Sequence, residues 1–258
     1  MNKIISILLL ATLFISFSAC KKIVATGPTV TETRNVDYFS QVYSYIPGDV
    51  YIKIGTSQDI IIEGQQNIID EIETGVENGK LFIRNKNNHP IKDWGNLKVY
   101  ITVTVCNGIS LRGSGNISTQ SDLNATNIDL SLTGSGNLQI QGIESTNTYI
   151  SLTGSGNIEL DNLKTYNTES ELTGSGHVNI KAQKTEKQKV KITGSGDFNA
   201  RHLESQTADI NITGSGNATV WATQTLNANI AGSGSITYYG TPAVNISITG
   251  TGKIKQGN

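Results

Sequence analysis

One stretch of this chain decides its fold, and it reads Ile128-Asp129-Leu130-Ser131-Leu132-Thr133-Gly134-Ser135-Gly136-Asn137-Leu138. Apolar and polar side chains alternate before the Gly-Ser-Gly triplet, and an apolar residue returns shortly after it. Alternation with a period of two is typical of a strand that buries one face. Glycine reaches positive φ at little cost, so the triplet can turn the chain sharply. The stretch therefore predicts two short strands joined by a tight corner.

The same pattern recurs through residues 107–258 at spacings of 18 to 21 residues. A fixed period of this size marks a stacked repeat architecture, in which each repeat contacts mainly its neighbours. The eight triplets begin at Gly113, Gly134, Gly154, Gly174, Gly194, Gly214, Gly232 and Gly250.

Two apolar columns accompany the triplets. Two residues before the first glycine there is always leucine or isoleucine, from Leu111 to Ile248, and four residues after it an apolar residue, from Ile117 to Ile254. Parallel stacking would place like residues about 4.8 Å apart, whereas consecutive hairpins would pair them in reversed order. We therefore predict an all-β, single-chain parallel β-helix, a solenoid with about eight Gly-Ser-Gly-cornered coils. Right-handed winding is expected because crossover connections favour that hand.

Charge and motifs exclude several functions. The formal net charge is −1 and no basic patch is present, so we expect no nucleic-acid partner. Gln139 stands where a dinucleotide fingerprint after Gly134 would need glycine, and we predict no cofactor. His177 and Asp197 occupy the same corner of adjacent coils, but two ligands without a third do not make a metal site.

The first residues have the pattern of an export signal. Lys3 is followed by an apolar run over residues 4–17 and by Ser18-Ala19-Cys20. Residues 1–19 resemble a bacterial lipoprotein signal peptide, which would leave Cys20 as the lipid-bearing first residue; an ordinary secretory leader or an unprocessed anchor is the alternative. Lysine rather than aspartate follows Cys20, which favours the outer membrane. Whether the protein faces the periplasm or the cell surface stays open.

Residues 20–34 are expected to form a lipidated flexible tether, and residues 35–106 a β-rich N-terminal portion that caps the first coil. Cys106 lies in an evident strand over residues 100–106 and is expected to be a buried, inert thiol. A loop over residues 85–96 carries Trp94. We expect the core of the cap to be supplied by Tyr38, Phe39, Tyr43, Tyr45 and Tyr51.

Two stretches carry a family resemblance: Tyr100-Ile101-Thr102-Val103-Thr104-Val105 and Ile109-Ser110-Leu111-Arg112-Gly113-Ser114-Gly115-Asn116. Together with the leader and the series of Gly-Ser-Gly-Asn coils, they make residues 36–255 resemble the head GIN domain family. Its members are described as "putative auto-transporter adhesins" and are common in Bacteroidetes. The resemblance implies a pectin-lyase-like β-helix, a surface or periplasmic location and an adhesive role. It transfers no catalytic residues.

An enzyme is a candidate because parallel β-helices often degrade polysaccharides with clustered carboxylates. Asp161, Lys181 and Arg201 would be stacked neighbours, but such a run more often forms a charge-alternating solvated face. We predict no catalytic residues. The candidate platforms for stacking a ligand, which could equally be packing residues, are Trp94, Tyr149, Tyr166 and Trp221.

The sequence thus predicts a lipid-anchored, non-enzymatic protein of the cell envelope. Its flat polar faces would act as an adhesin or binding module for a glycan or a surface protein. The alternative is an envelope-scaffolding lipoprotein that self-associates through the open edge of its last coil, residues 244–255. A polysaccharide-active enzyme is the third hypothesis.

Overall fold

The computed structural model describes residues 22–86, 89–182 and 184–258. The predicted signal peptide over residues 1–19 and Cys20 lie outside this part of the chain. Within it, no helix is long and apolar enough to cross a membrane.

As far as the structure describes it, the N-terminal portion contains nine strands and one short helix. They are β1 (Ile23–Val24), β2 (Thr29–Arg34), β3 (Gln41–Ser44), β4 (Asp49–Ile54), β5 (Asp59–Gln65), α1 (Gln66–Ile69), β6 (Ile72–Glu77), β7 (Lys80–Asn85), β8 (Ile91–Asp93) and β9 (Lys98–Val103).

The described residues of the repeats form fourteen strands. They are β10 (Gly108–Gly113), β11 (Asn116–Thr119), β12 (Asp122–Gly134), β13 (Asn137–Ile140), β14 (Gly142–Gly154), β15 (Asn157–Leu160), β16 (Leu163–Gly174), β17 (His177–Ile180), β18 (Lys184–Gly194), β19 (Asp197–Gly214), β20 (Asn217–Gly232), β21 (Ser235–Tyr239), β22 (Ala243–Gly250) and β23 (Lys253–Gln256).

Every coil of the repeats lies parallel on the one before, in the register that the sequence columns predict. The first glycines of all eight triplets pair in one continuous ladder from Gly113 to Gly250. The leucine and isoleucine column from Leu111 to Ile248 is likewise in register. The predicted parallel β-helix is therefore confirmed.

Each coil has three straight segments separated by corners. Face A follows the Gly-Ser-Gly corner and comprises β11, β13, β15, β17 and the segments paired with them. Face B comprises residues 122–125 and the segments paired with them, and face C comprises residues 127–134 and the segments paired with them. Between faces B and C the pairing skips one residue, as at Thr126 and Thr146. Along each segment, buried and exposed residues alternate.

The Gly-Ser-Gly corners stack as tightly as the strands. The first glycine of each triplet has a positive φ, for example 128° at Gly134. Backbone N–H groups of Ser135 and Gly136 donate to the Gly113 carbonyl at 3.0 and 3.1 Å, and Asn137 donates to Gly115 at 3.1 Å. Backbone hydrogen bonding thus continues from coil to coil around the turn, as the predicted structural role of these glycines requires.

The β-helix extends further toward the N-terminus than the Gly-Ser-Gly triplets do. β3 and β4 lie parallel on β10 and β11, and β7 and β9 lie parallel on their other side. Chain order is therefore not stacking order, because β3 and β4 are inserted between strands that follow them in sequence.

Antiparallel strands close this end. β6 pairs with β7, β5 pairs with β9, and β2 pairs with β5, all antiparallel. The N-terminal portion therefore caps the stack. The prediction that four tyrosines supply its core is wrong: Tyr38 and Tyr45 are exposed, and Tyr43 and Tyr51 are half-buried. The cap buries Phe39 together with branched aliphatic residues, which fit the narrow space between strands.

The prediction of a flexible tether is wrong for the described residues that it covers. Two parts of this segment are paired in sheets: β1 lies on β8, and all six residues of β2 pair with β5. The strand β8 lies inside the predicted loop over residues 85–96. Val30 and Ile23 pack against the core, so burial of apolar side chains accounts for the order of this segment.

The C-terminal end has no comparable cap in the described part of the chain. β22 and β23 pair on one side, with β20 and β21. Ile246 and Ile248 continue the core columns, yet they are 56% and 40% exposed. The last coil thus presents apolar side chains and an unpaired backbone edge.

Candidate functional site

A shallow groove of about 420 Å³ lies on face A, in the coils next to the capped end. Its outward side chains come from β4, β11, β13 and β15, which lie side by side in register. They are Asp49, Tyr51, Asn116, Ser118, Asn137, Gln139, Asn157 and Glu159.

An aromatic ring forms one wall of the groove, and no protein side chain of similar size covers one of its two faces. Tyr51 stacks on Tyr100 of the adjoining coil, with ring centroids 5.2 Å apart and planes inclined by 17°. On its other side the paired residue is Ser118, whose side chain is too small to cover a phenol ring. Tyr51 therefore presents a ring face to the groove.

A ladder of side-chain amides runs along the groove. Asn157 donates to Asn137 at 2.9 Å, Asn137 donates to Asn116 at 2.8 Å, and Asn116 donates to the Asp49 carboxylate at 2.8 Å. Each amide NH₂ carries two donor hydrogens, of which the ladder uses one. The ladder holds the amides in a fixed orientation and leaves one donor per residue for a ligand.

The charges of the groove are negative. Among its outward side chains, Asp49 and Glu159 carry carboxylates and none is a cation. Such a lining disfavours phosphate and other anions and favours neutral polar groups. Ser118 and Gln139, in the row beside the amide ladder, add further donors and acceptors.

This combination suits a sugar. A pyranose presents apolar C–H groups on its face, which pack on an aromatic ring, and hydroxyls at its rim, which need hydrogen-bond donors and acceptors. The groove places Tyr51 beside carboxylate and amide groups in that way. Its open, shallow shape suits binding rather than the enclosure of a reaction.

The four aromatic residues predicted as platforms are not brought together. Trp94 packs against the core near the capped end. Trp221 lies against Tyr239 at 6.2 Å between ring centroids. Tyr149 projects from face C, and Tyr166 lies at the corner between faces B and C.

Tyr149 and Tyr166 are the exposed members of this set, at 42% and 52%. Each borders a shallow depression, of about 220 and 280 Å³. The neighbours of Tyr149 include Glu169 and Glu171, which already pair with Lys189 and Lys191. Both depressions are smaller than the groove on face A and lack its stacked pair of rings.

In the charged column of Asp161, Lys181 and Arg201, the first two residues form a surface ion pair. Lys181 Nζ lies 2.9 Å from Asp161 Oδ1, and this hydrogen bond raises the pKa of Lys181. The Arg201 guanidinium lies over the ring of Tyr239, 4.6 Å from its centroid. Asp161 is thus paired with the lysine of the next coil.

The corner histidine lies close to the residue paired with it in the next coil. His177 and Asp197 are in register on adjacent coils, with Nδ1 3.3 Å from Oδ2. Across residues 22–86, 89–182 and 184–258, no cluster of three His, Cys, Asp or Glu side chains could hold a metal ion.

Cys106 is buried, as predicted. Burial raises the pKa of its thiol to about 11, and the thiol donates to the Gly108 carbonyl at 3.7 Å. A thiol in this state is a poor nucleophile.

The Tyr51 platform was not predicted, because Tyr51 was expected in the core of the cap. The available signal was the alternation in Asp49–Ile54, where Val50 and Ile52 are the apolar positions and Tyr51 lies between them. Aligning Val50 with Ile117 would have put Tyr51 on the outer surface beside Ser118.

Comparison with known proteins gives the same architecture. A family model described as "Putative auto-transporter adhesin, head GIN domain" matches residues 38–242. No protein with a curated description matches.

Three solved structures are similar. A "putative lipid binding protein" from Parabacteroides distasonis shares 24% identity at a TM-score of 0.87, over 92% of this chain and 100% of that one. A "putative adhesin" from Parabacteroides merdae shares 22% identity at a TM-score of 0.83, over 92% and 99%. One from Bacteroides fragilis shares 25% identity at a TM-score of 0.65, over 91% and 99%.

Proposed function

This chain belongs to the family described as "Putative auto-transporter adhesin, head GIN domain", and from that premise we propose that it is a non-enzymatic binding module that recognises glycans through the groove on face A. The family description and the neighbours described as putative adhesins support an adhesive role. The groove supplies the chemistry for it.

The observation that carries the proposal is the uncovered ring of Tyr51. Its phenol is held in place by Tyr100 on one side, so no side-chain rearrangement is needed to receive a sugar on the other. The amide ladder from Asn157 to Asp49 is likewise ordered before binding. A site that is already ordered loses less conformational entropy when the ligand binds.

The test is a glycan array probed with the wild-type protein and with Tyr51→Ala. We expect hits that weaken by about tenfold or more on removal of the ring, because each 1.4 kcal/mol of lost contact is a factor of ten. Tyr51→Phe, which keeps the ring, should retain most binding. Tyr149→Ala is the matched control, since it removes an exposed tyrosine from face C. An array without hits above background, or equal losses in both alanine variants, would overturn the proposal.

We also propose that Cys20 is lipidated and anchors the protein to the outer membrane. The basis is the signal-peptide pattern of residues 1–19 followed by Cys20. Wild-type cells fed a labelled fatty acid should yield a labelled protein, and Cys20→Ser cells should not. Protease shaving of intact cells then determines the side: loss of the protein places it on the surface, and protection places it in the periplasm.

Self-association is a second candidate function, favoured by the uncovered last coil. Ile246 and Ile248 lie on the edge strand β22, whose backbone has an unpaired side in the described structure. A second copy could pair with that edge and bury both isoleucines. Lys253 and Lys255 on β23 oppose such pairing at the neighbouring edge.

Sedimentation of the protein without residues 1–20 tests this second function. We expect a concentration-dependent dimer that Ile248→Lys abolishes. Ser247→Lys adds the same charge to the outward side of β22 and should leave the dimer intact. A strict monomer at high concentration would eliminate self-association.

A further inference from the structure

The interior of the β-helix is not aliphatic throughout. On face C, the column that begins with Ile128 continues through Thr148, Thr168 and Gln188 before it returns to Ala208 and Leu226. The neighbouring inward-facing column carries Ser170 between Ile150 and Val190. The polar members of both columns are 0–2% exposed. A polar patch is therefore enclosed in the middle coils.

Part of this patch is satisfied by the protein itself. Ser145 Oγ lies 2.8 Å from Thr148 Oγ1 and donates to Thr165 Oγ1 at 2.9 Å. Thr165 can donate to the Asn167 carbonyl at 3.0 Å, and Thr185 donates to the Tyr166 carbonyl at 3.0 Å. These hydroxyls line the corner between faces B and C and bond locally to backbone and side chain.

The remaining part has no partner in the described structure. Four buried atoms make no hydrogen bond: Thr168 Oγ1, Ser170 Oγ, and both Nε2 and Oε1 of Gln188. They are close together, because Thr168 pairs directly with Gln188 and Ser170 lies two residues along the same inward side. Donors and acceptors are both represented, since the amide offers both and each hydroxyl can act as either.

A buried glutamine without any partner is strongly unfavourable, because its amide loses its hydrogen bonds to water on folding. Water can satisfy these donors and acceptors, since a buried water needs two to four polar partners arranged around it. Most other coils place buried aliphatic residues at these positions, such as Ile128, Ile150 and Ile210, so the architecture does not itself require polar groups there. We infer that the β-helix holds an internal water site between Thr168, Ser170 and Gln188.

The site is separate from the groove on face A and does not depend on the proposed function. It lies beneath a part of face C whose outer surface is also polar, because Glu169 and Glu171 alternate with Thr168 and Ser170 along β16. The bound water bridges two neighbouring coils through side chains, in addition to the backbone ladder that joins β16 to β18.

Water contacts at the Gln188 side chain test the inference directly. In a ¹⁵N-labelled sample, we expect cross peaks between water and the Gln188 Nε2 hydrogens with the sign of a long-lived contact. Gln188→Leu identifies those resonances by deleting them. Gln139, exposed on face A, is the control and should show the signature of fast bulk exchange. A Gln188 amide without water contacts would overturn the inference.

Thermal unfolding gives a second, independent readout. If water bridges the three residues, Gln188→Leu alone removes a partner from the water and should lower Tm. The triple variant Thr168→Val, Ser170→Val, Gln188→Leu removes all three residues that would hold the water and should recover Tm to the wild-type value or above. In a dry site, Gln188→Leu alone would raise Tm, because it removes an unsatisfied group, and this result would contradict the inference. Shifts of about 2–4 °C are readily measured in a chain of this size.

Discussion

At the scale of single residues, the corner glycines carry two separate constraints. Gly174 has a φ of 116°, and a Cβ added there would lie 2.4 Å from the carbonyl oxygen of Gly154 in the coil below. Gly113 has a similar φ of 123°, but a Cβ there would meet nothing within 4 Å. The difference arises because the coil beneath Gly113 turns through Ile46 and Pro47 rather than through another triplet.

These two positions make a matched pair of variants. Gly113→Ala should lower the free energy of unfolding by about 1–2 kcal/mol, since it introduces backbone strain alone. Gly174→Ala adds a clash with backbone that cannot move without breaking the ladder, so we expect a loss of about 3 kcal/mol or more. Urea unfolding of both variants measures the difference. Equal losses would show that stacking of the corners contributes nothing.

Cys106 gives a prediction on reactivity. With a pKa of about 11, roughly one thiol in a thousand is ionised at pH 8, and the side chain is also buried. A maleimide or iodoacetamide reagent at pH 8 should therefore leave the native protein unmodified and label it fully in denaturant. Rapid labelling of the native protein would contradict this description of the site.

How much of the candidate site the sequence predicts depends on the register of single residues. Within the repeats, identical columns determine which side chains face outward, so Asn116, Asn137 and Asn157 can be placed on one surface from spacing alone. Tyr51 precedes the repeats, and a tyrosine in a strand fits a core or a surface equally well. The alternation of Val50 and Ile52 around it indicates an outward side chain, but its place beside Ser118 depends on a pairing distant in sequence.

At the scale of strands, β16 and β18 differ from the strands around them. Three of their inward positions are Thr168, Ser170 and Gln188, where equivalent positions of β12 carry Ile128 and Leu130. Less apolar area is buried there, and polar residues on both faces specify strand register more weakly.

Hydrogen exchange should resolve this difference. We expect amides of residues 167–170 and 187–190 to exchange about 5–30-fold faster than those of residues 127–130, as a local opening easier by one or two kcal/mol would cause. Mass spectrometry of peptides from the two regions measures the ratio. Uniform protection along face C would mean that the polar interior does not weaken these coils.

The strands of the cap show where prediction from sequence ends. The runs in β4, β5, β7 and β9 are recognisable as strands from their apolar and β-branched residues. Their partners are not, because β3 and β4 stack between β7, β9 and the first repeat, against chain order. The prediction of a tether failed for a related reason: β2 is polar on its exposed side and gains its order from pairing with β5, which follows it in the chain.

At the scale of the whole molecule, the protein is a stack of coils with unlike ends. Antiparallel strands close the N-terminal end, and the groove on face A lies in the coils beside this cap. The opposite end exposes Ile246 and Ile248. Glycan binding and self-association are therefore assigned to separate parts of the molecule, and variants in one should leave the other unchanged.

The measurement that tests the central claim most directly is an NMR titration of the ¹⁵N-labelled protein with an oligosaccharide that binds on the array. The account predicts that shifted amides cluster at residues 49–51, 116–118 and 137–139, and that Tyr51→Ala removes the shifts while the rest of the spectrum stays folded. Shifts centred instead on Tyr149, Tyr166 or Trp221 would contradict the assignment of the binding site to the groove on face A.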